Sequence, residues 1–253
     1  MASSGKVQIR LRGVTKSFGE RRVLDGLDLD VHEGESLVVI GGSGSGKSVL
    51  IKHVIGLLAP DAGSVEVDGV RIHDLDYRQL PEFRRRFGMA FQEGALFDSM
   101  SVWENVAFPL RRAKWERRRI EARVAECLEM VHLEGAEKKM PAQLSGGMRR
   151  RVGFARAIAL GPRILLFDEP TTGLDPVIKA VIDQVIVDLR TRLGSTTVTI
   201  SHDMKSTFRI ADRVGMLYQG RIIAIGTPDE IRASPDPCVQ QFIEGRADGP
   251  LSD

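Results

Sequence analysis

The sequence predicts an α/β fold, a mostly parallel sheet with helices between its strands, preceded by an antiparallel strand pair. Three stretches carry that expectation. Leu37 to Ile40 is a short apolar run of the kind a buried parallel strand needs, followed by Gly41-Gly-Ser-Gly-Ser-Gly46-Lys47-Ser48 and a helical periodicity in Val49, Leu50, Val54, Ile55 and Leu58. Arg163 to Phe167 is a second apolar run, and it ends in two carboxylates, Asp168 and Glu169. Ahead of both, Val7, Ile9 and Leu11 alternate with polar residues, as do Leu24, Leu27, Leu29 and Val31.

The first of these is the most informative. Gly41 to Ser48 fits G-x-x-x-x-G-K-[ST], a loop whose glycines let backbone N–H groups turn inward while the following helix aims its positive end at the same place. Lys47 is expected to reach β- and γ-phosphates, and Ser48 to ligate Mg²⁺. A flexible Gly/Ser linker is the alternative, but linkers seldom separate a strand from a helix. The helix is expected to close at Pro60. A nucleoside triphosphate is the implied ligand.

Bulk properties narrow the rest. A chain of 253 residues suits one large α/β domain or two small lobes, and a formal net charge of +2 gives no reason to expect nucleic acid. Arg84-Arg-Arg86, Arg117-Arg-Arg119 and Arg149-Arg-Arg151 read as solvated helix faces. Cys127 and Cys238 are the only cysteines, which fits a reducing compartment. Met1 to Val14 has no apolar signal core, and no run of about 18 apolar residues occurs, so no membrane span is expected.

In chain order, Gly13 is expected to end the first strand, and Phe18 sits on the connection to the second, as a core plug or a base-stacking aromatic. Gly63 to Gly69 with Val70 to Ile72 reads as a hairpin, and Phe87 to Gln92 as a buried strand ending in a polar residue. From Glu93 to Leu133 the pattern is helical, with Ile120, Val124, Cys127, Leu128 and Val131 on one face. Two glycines after Ser145 break the run, and a new helix is expected over Met148 to Leu160 with Ser145 as N-cap. Pro176 begins a helix whose apolar face is Ile178, Val181, Ile182, Val185, Ile186 and Leu189. Thr196 to Ile200 is a strand leading to His202, which in isolation reads as a satisfied strand-end histidine. Val214 to Leu217 and Ile222 to Ile225 complete the sheet, and Thr227 to Glu230 is a capping box. The remainder from Ser234 is polar, yet carries Val239, Phe242, Ile243 and Leu251.

Taken together, these residues resemble the ATP-binding subunit of an ABC transporter over nearly the whole chain. Leu144-Ser-Gly-Gly-Met148, just before Leu165-Leu-Phe-Asp-Glu169, is the specific part; Gln92 matches the Q-loop, Gly173-Leu-Asp175 the D-loop, and His202 the switch histidine. Met148 stands where glutamine is usual, and Val49 where a hydroxyl residue is usual. Gly44 to Val49, Gly94 to Phe97, Leu144 to Val152 and the ending Phe242 to Gly245 with Asp248 to Pro250 are similar to ATPases of Mla/MCE-type lipid transporters.

The resemblance implies a P-loop NTPase with a RecA-like core, an N-terminal antiparallel β subdomain and an inserted helical subdomain at about 93–162, all within 1–233, and a tail, 234–253, that packs on a neighbouring subunit. It implies ATP and Mg²⁺ as cofactors. Phe18, Gly41, Gly42, Ser43, Gly44, Ser45, Gly46, Lys47, Ser48 and Val49 would hold the nucleotide, with Ser145, Gly147 and Asp175 reaching it from the partner of a head-to-tail homodimer. Ser48, Gln92 and Asp168 would form the Mg²⁺ shell. Glu169 would polarise the attacking water, assisted by Lys47, Gln92 and His202. An integral-membrane permease, and through it a lipid-binding MCE-type protein, are the implied partners, on the cytoplasmic face of the inner membrane. A translation ATPase would carry two such domains, and a DNA-repair ATPase a long coiled coil between Gly46 and Leu144. Another transporter class, such as an amino-acid importer, or a non-transport assembly ATPase stays open.

Overall fold

The computed structural model describes residues 5–92 and 94–251. Glu93, where the helical stretch was expected to begin, lies outside them, as do the first four residues and the last two. The chain divides into two compact units, one of Met1–Arg84 with Val198–Asp253 and one of Arg85–Thr197.

In the first unit, β1 (Val7–Phe18) pairs antiparallel with β2 (Arg21–His32) and with β4 (Ala62–Val67), and β5 (Val70–Arg71) extends the sheet in the order β2-β1-β4-β5. Gly13 does not end β1. It takes φ +58 inside a register shift between Leu11 and Val14, so the strand passes through a bulge that a glycine accommodates. The hairpin turn places Asp68 and Gly69 at φ +50 and +77, the Asp-Gly signature of a tight turn. A separate set of strands holds β3 (Ser36–Ile40), parallel to β9 (Arg213–Tyr218), which pairs antiparallel with β10 (Arg221–Gly226). Every residue of β3 is buried, as a strand covered on both faces requires.

Helix α1 (Lys47–Val54) is shorter than expected. Gly56, at φ +66, donates to His53 O, and Leu57 N reaches back to Lys52 O at 2.8 Å, a left-handed cap that stops the helix before Ile55 and Leu58. Five residues, Leu80–Arg84, form α2. Like α2, two further helices were not foreseen: α7 (Met204–Ile210), capped by Asp203 accepting from Ser206 N, and α9 (Pro237–Glu244) in the tail, whose Val239 is fully buried. Between them α8 (Pro228–Arg232) carries the expected capping box at Thr227.

In the second unit, β6 (Phe87–Ala90) runs parallel to β7 (Ile164–Asp168). The start of β8 (Thr196–Ile200) belongs here, with Thr196 N donating to Arg163 O at 2.9 Å. Helices α3 (Val102–Arg112), α4 (Arg117–Met130) and α5 (Gly146–Ile158) bury Val106, Leu110, Val124, Leu128, Val152 and Phe154, and α6 (Pro176–Leu193) follows β7. Phe154 meets Phe167 edge to face, ring centroids 5.0 Å apart. Gly146 and Gly147 are not a break; they are the first residues of α5 after the Ser145 cap. Nor are Arg149 to Arg151 a solvated face, because Arg150 is buried. Among the described residues no helix is long and apolar enough to cross a membrane.

Candidate nucleotide site

The first unit supplies a loop and its neighbours. Gly41 leaves β3 at φ +152, and a Cβ there would lie 2.3 Å from Leu217 O, so the backbone passes where no side chain fits. Gly44 and Gly46 take φ +73 and +104, and Gly46 caps α1. Above Gly42 a Cβ would meet nothing within 4 Å, an open approach to the backbone. Lys47 is buried, its Nζ donating to Gly41 O at 2.7 Å and Gly42 O at 2.8 Å. The ammonium is thereby held inside the curve of the loop. Ser45 Oγ is buried with no hydrogen-bond partner among the described residues. Ser48 is exposed at the helix start, and Val49 is half-buried. A glycine-built backbone curve with an open approach at Gly42, a cation at its centre and an orphan hydroxyl together fit a polyphosphate.

Phe18 ends β1 with 48 % of its surface exposed and the Lys16 ammonium 5.7 Å from its ring centroid, so it is not a core plug. His202 is exposed two residues after β8. It lines a cleft of about 990 Å³ with Gly42, Ser43, Gly44 and Ser45, and with Tyr218 and the tail from Gln241 to Leu251. The tail is held there by Gln241, which accepts from Leu251 N at 2.7 Å, and by Tyr218 Oη donating to Pro250 O at 3.2 Å.

In the second unit, Asp168 is the last residue of β7, and Glu169 turns off the strand at φ +50, a left-handed conformation that costs a side-chain-bearing residue about 1–2 kcal/mol. Its Oε2 accepts from Thr172 Oγ1 at 2.9 Å, which fixes the carboxylate. Gln92 is exposed two residues after β6, its carbonyl accepting from Arg150 Nε at 2.6 Å. Arg150 also donates to Pro170 O at 3.0 Å and to Thr172 O. One buried guanidinium thus ties α5 to Gln92 and to the segment after Glu169. Sequence reasoning missed it; the surrounding arginines gave a charge run, and only packing distinguishes the middle one. Arg150, Gln92 and Thr172 line a cleft of about 510 Å³ with Gly146 and Gly173.

Ser145 caps α5, Oγ accepting from Met148 N at 3.3 Å. Gly147 is buried; a Cβ would sit 2.6 Å from Ile178 Cγ2, which explains a glycine inside a helix. Asp175 Oδ1 accepts from Val177 N and Ile178 N, both at 3.0 Å, so its carboxylate caps α6. The expected Gln92, Ser145, Gly147, Asp168, Glu169 and Asp175 thus share one unit, and the phosphate loop, Phe18 and His202 the other.

A phosphate loop between a buried strand and a helix, with a strand-end acid pair, defines a nucleoside triphosphatase. Residues 24–172 match the family described as ABC transporter, and the chain belongs to it as an ATP-binding, ATP-hydrolysing cassette. It is 43 % identical over 246 residues to a probable ribonucleotide transport ATP-binding protein of Mycobacterium leprae, covering 97 % of this chain and 71 % of that one. It is 41 % identical over 244 residues to the intermembrane phospholipid transport system ATP-binding protein MlaF of Escherichia coli, covering 96 % and 91 %. Among solved structures, cbiO1 of Clostridium perfringens, part of the ABC transporter complex cbiONQ, matches with a TM-score of 0.84 at 29 % identity, covering 90 % of this chain and 91 % of that one. A dimeric ATP-binding cassette bound to ADP and Pi matches with a TM-score of 0.79 at 34 % identity, covering 87 % and 98 %.

Proposed function

We propose that this cassette powers phospholipid transport between membranes through a separate integral-membrane permease. The observation that carries the reading is the match to the Escherichia coli phospholipid-transport ATPase, 41 % identical over 91 % of that protein's length. The mycobacterial relatives extend well beyond the match, which covers 68–71 % of them, and the probable ribonucleotide transport for which they are named is the competing reading. An MCE-type lipid-binding protein, reached through the permease, and a position on the cytoplasmic face of the inner membrane accompany the proposal.

In this reading, backbone N–H groups from Gly41 to Gly46 and the Lys47 ammonium hold the phosphates, Val49 follows the loop without supplying a hydroxyl, and the exposed ring of Phe18 receives the base. Ser48, Asp168 and Gln92 would supply oxygen donors to Mg²⁺, which when bound would neutralise phosphate charge. Glu169, steadied by Thr172, orients and polarises the attacking water, and His202 and Gln92 bracket the γ-phosphate. Two chains assemble head to tail, Ser145, Gly147 and Asp175 of each closing on the other's nucleotide, with 1–233 as the cassette, about 93–162 as its helical subdomain and 234–253 as a dimer contact. Glu169→Gln is expected to keep ATP binding and lose about 10²–10⁴-fold in turnover. Co-purification of the permease and reconstitution in vesicles, offering phospholipid and ribonucleotide separately, decides between cargoes. Transfer of ribonucleotide without phospholipid would reverse the assignment.

A further inference from the structure

The sequence contains two tryptophans, and the second unit brings both to one place. Trp103 on α3 and Trp115 in the turn before α4 line a cleft of about 620 Å³ with Arg111, Arg117, Ile120 and Glu121. The Arg111 guanidinium lies 5.0 Å from the Trp103 ring centroid, and that of Arg119 lies 3.8 Å from the Trp115 centroid. Residues 111–119 hold six cations against a single carboxylate, Glu116. Arg117 pairs with Glu121 at 3.0 Å, while Arg111 and Arg119, both exposed, rest on aromatic faces.

Two local features run against what the isolated fold favours. Lys114 N donates to Arg111 O and Trp115 N to Leu110 O, closing α3 with Lys114 at φ +57, where glycine fits best. Helix α4 then opens on Arg117, Arg118 and Arg119 with no acid in its first turn, the reverse of what its dipole favours. Both place positive charge in the same turn. Of the exposed large apolar side chains among the described residues, none falls within 102–130. A protein partner would gain most from burying such groups. A dense run of arginine and lysine without exposed apolar groups is instead the chemistry of an anionic lipid interface.

We propose that the α3–α4 turn docks on an anionic phospholipid surface, its arginines meeting lipid phosphates while the half-buried tryptophans brace Arg111 and Arg119 from beneath. The inference is independent of which cargo the cassette serves. The test is co-sedimentation of the full chain with vesicles of phosphatidylcholine alone, and with phosphatidylglycerol added, at low salt and at about 0.5 M NaCl. Binding is expected only to the anionic vesicles, lost at high salt, and at least about tenfold weaker in R111Q/R112Q/R118Q/R119Q. ATPase activity of that variant should be unchanged, since none of the four belongs to the nucleotide site. Should it fail to fold, Arg112→Gln with Arg118→Gln, both exposed, gives the same reading with a smaller shift. Equal binding to neutral vesicles, or equal binding by variant and parent, overturns the proposal. So does equal capture of a single-stranded oligonucleotide or an acidic protein at the same salt.

Discussion

Replacing Arg150 by glutamine tests the link between α5 and the segments that carry Gln92 and Thr172. Arg150 is 6 % exposed and donates to Gln92 O at 2.6 Å, to Pro170 O at 3.0 Å and to Thr172 O. A hydrogen bond from a charged donor is worth about 1.5–3 kcal/mol, and an orphaned buried acceptor costs about 1–3 kcal/mol. The carbonyls of Gln92 and Thr172 border an open cleft that water can enter, so the lower end applies and the loss comes to about 3–5 kcal/mol. For a chain of this size that is roughly 6–20 °C in melting temperature. Arg150→Lys keeps the charge but not the fork, so it should recover about a third of the loss. With Gln92 and Glu169 no longer steadied through this tether, kcat should fall about 10–100-fold with a smaller change in KM. Thermal unfolding and steady-state ATPase measurements on the three proteins decide it. A glutamine variant within about 2 °C of the parent, with full kcat, would refute the reasoning.

Further outcomes follow from other parts of the molecule. Mixing Ser145→Arg with Lys47→Ala chains should restore one working site per mixed dimer; mixed dimers no more active than either parent would count against the trans arrangement. Truncation after Ala233 removes α9, whose Val239 is fully buried, so the melting temperature should drop and sedimentation should show weaker association; unchanged values would leave the tail without a structural role. Cys127 is buried and its thiol is pushed up to about 11 by desolvation, so a thiol reagent at about pH 8 should label Cys238 first and Cys127 only on unfolding. Rapid labelling of both would contradict the packing around α4. His53 is buried, and burial lowers its pKa below the ordinary value, so the unfolded chain takes the proton first. Its contribution is full above about pH 6.5 and declines on acidification, and His53→Gln should flatten the melting curve's pH dependence on that side. A parent whose stability is flat from neutral to mildly acid pH would exclude this.

Much was legible from sequence because it is written in local rules. Alternation and apolar runs marked β1, β2, β3, β7, β8, β9 and β10. The glycine loop from Gly41 to Gly46, the Ser145 cap and the Thr227 capping box were legible because glycine geometry and side-chain caps act over a few residues. Tertiary structure decided what depends on distant neighbours. Gly13 became a bulge because β1 pairs with β2 on one side and β4 on the other. Gly147 sits inside a helix because Ile178 leaves no room for a Cβ. Helix α9 forms because Val239 finds a buried place that no periodicity within eight residues could announce. Arg149, Arg150 and Arg151 are the same residue type in one run, yet the middle one alone reaches Gln92, Pro170 and Thr172. A charge run states how many cations a helix carries. Which of them is withdrawn from water is set by the carbonyls that the fold brings to it.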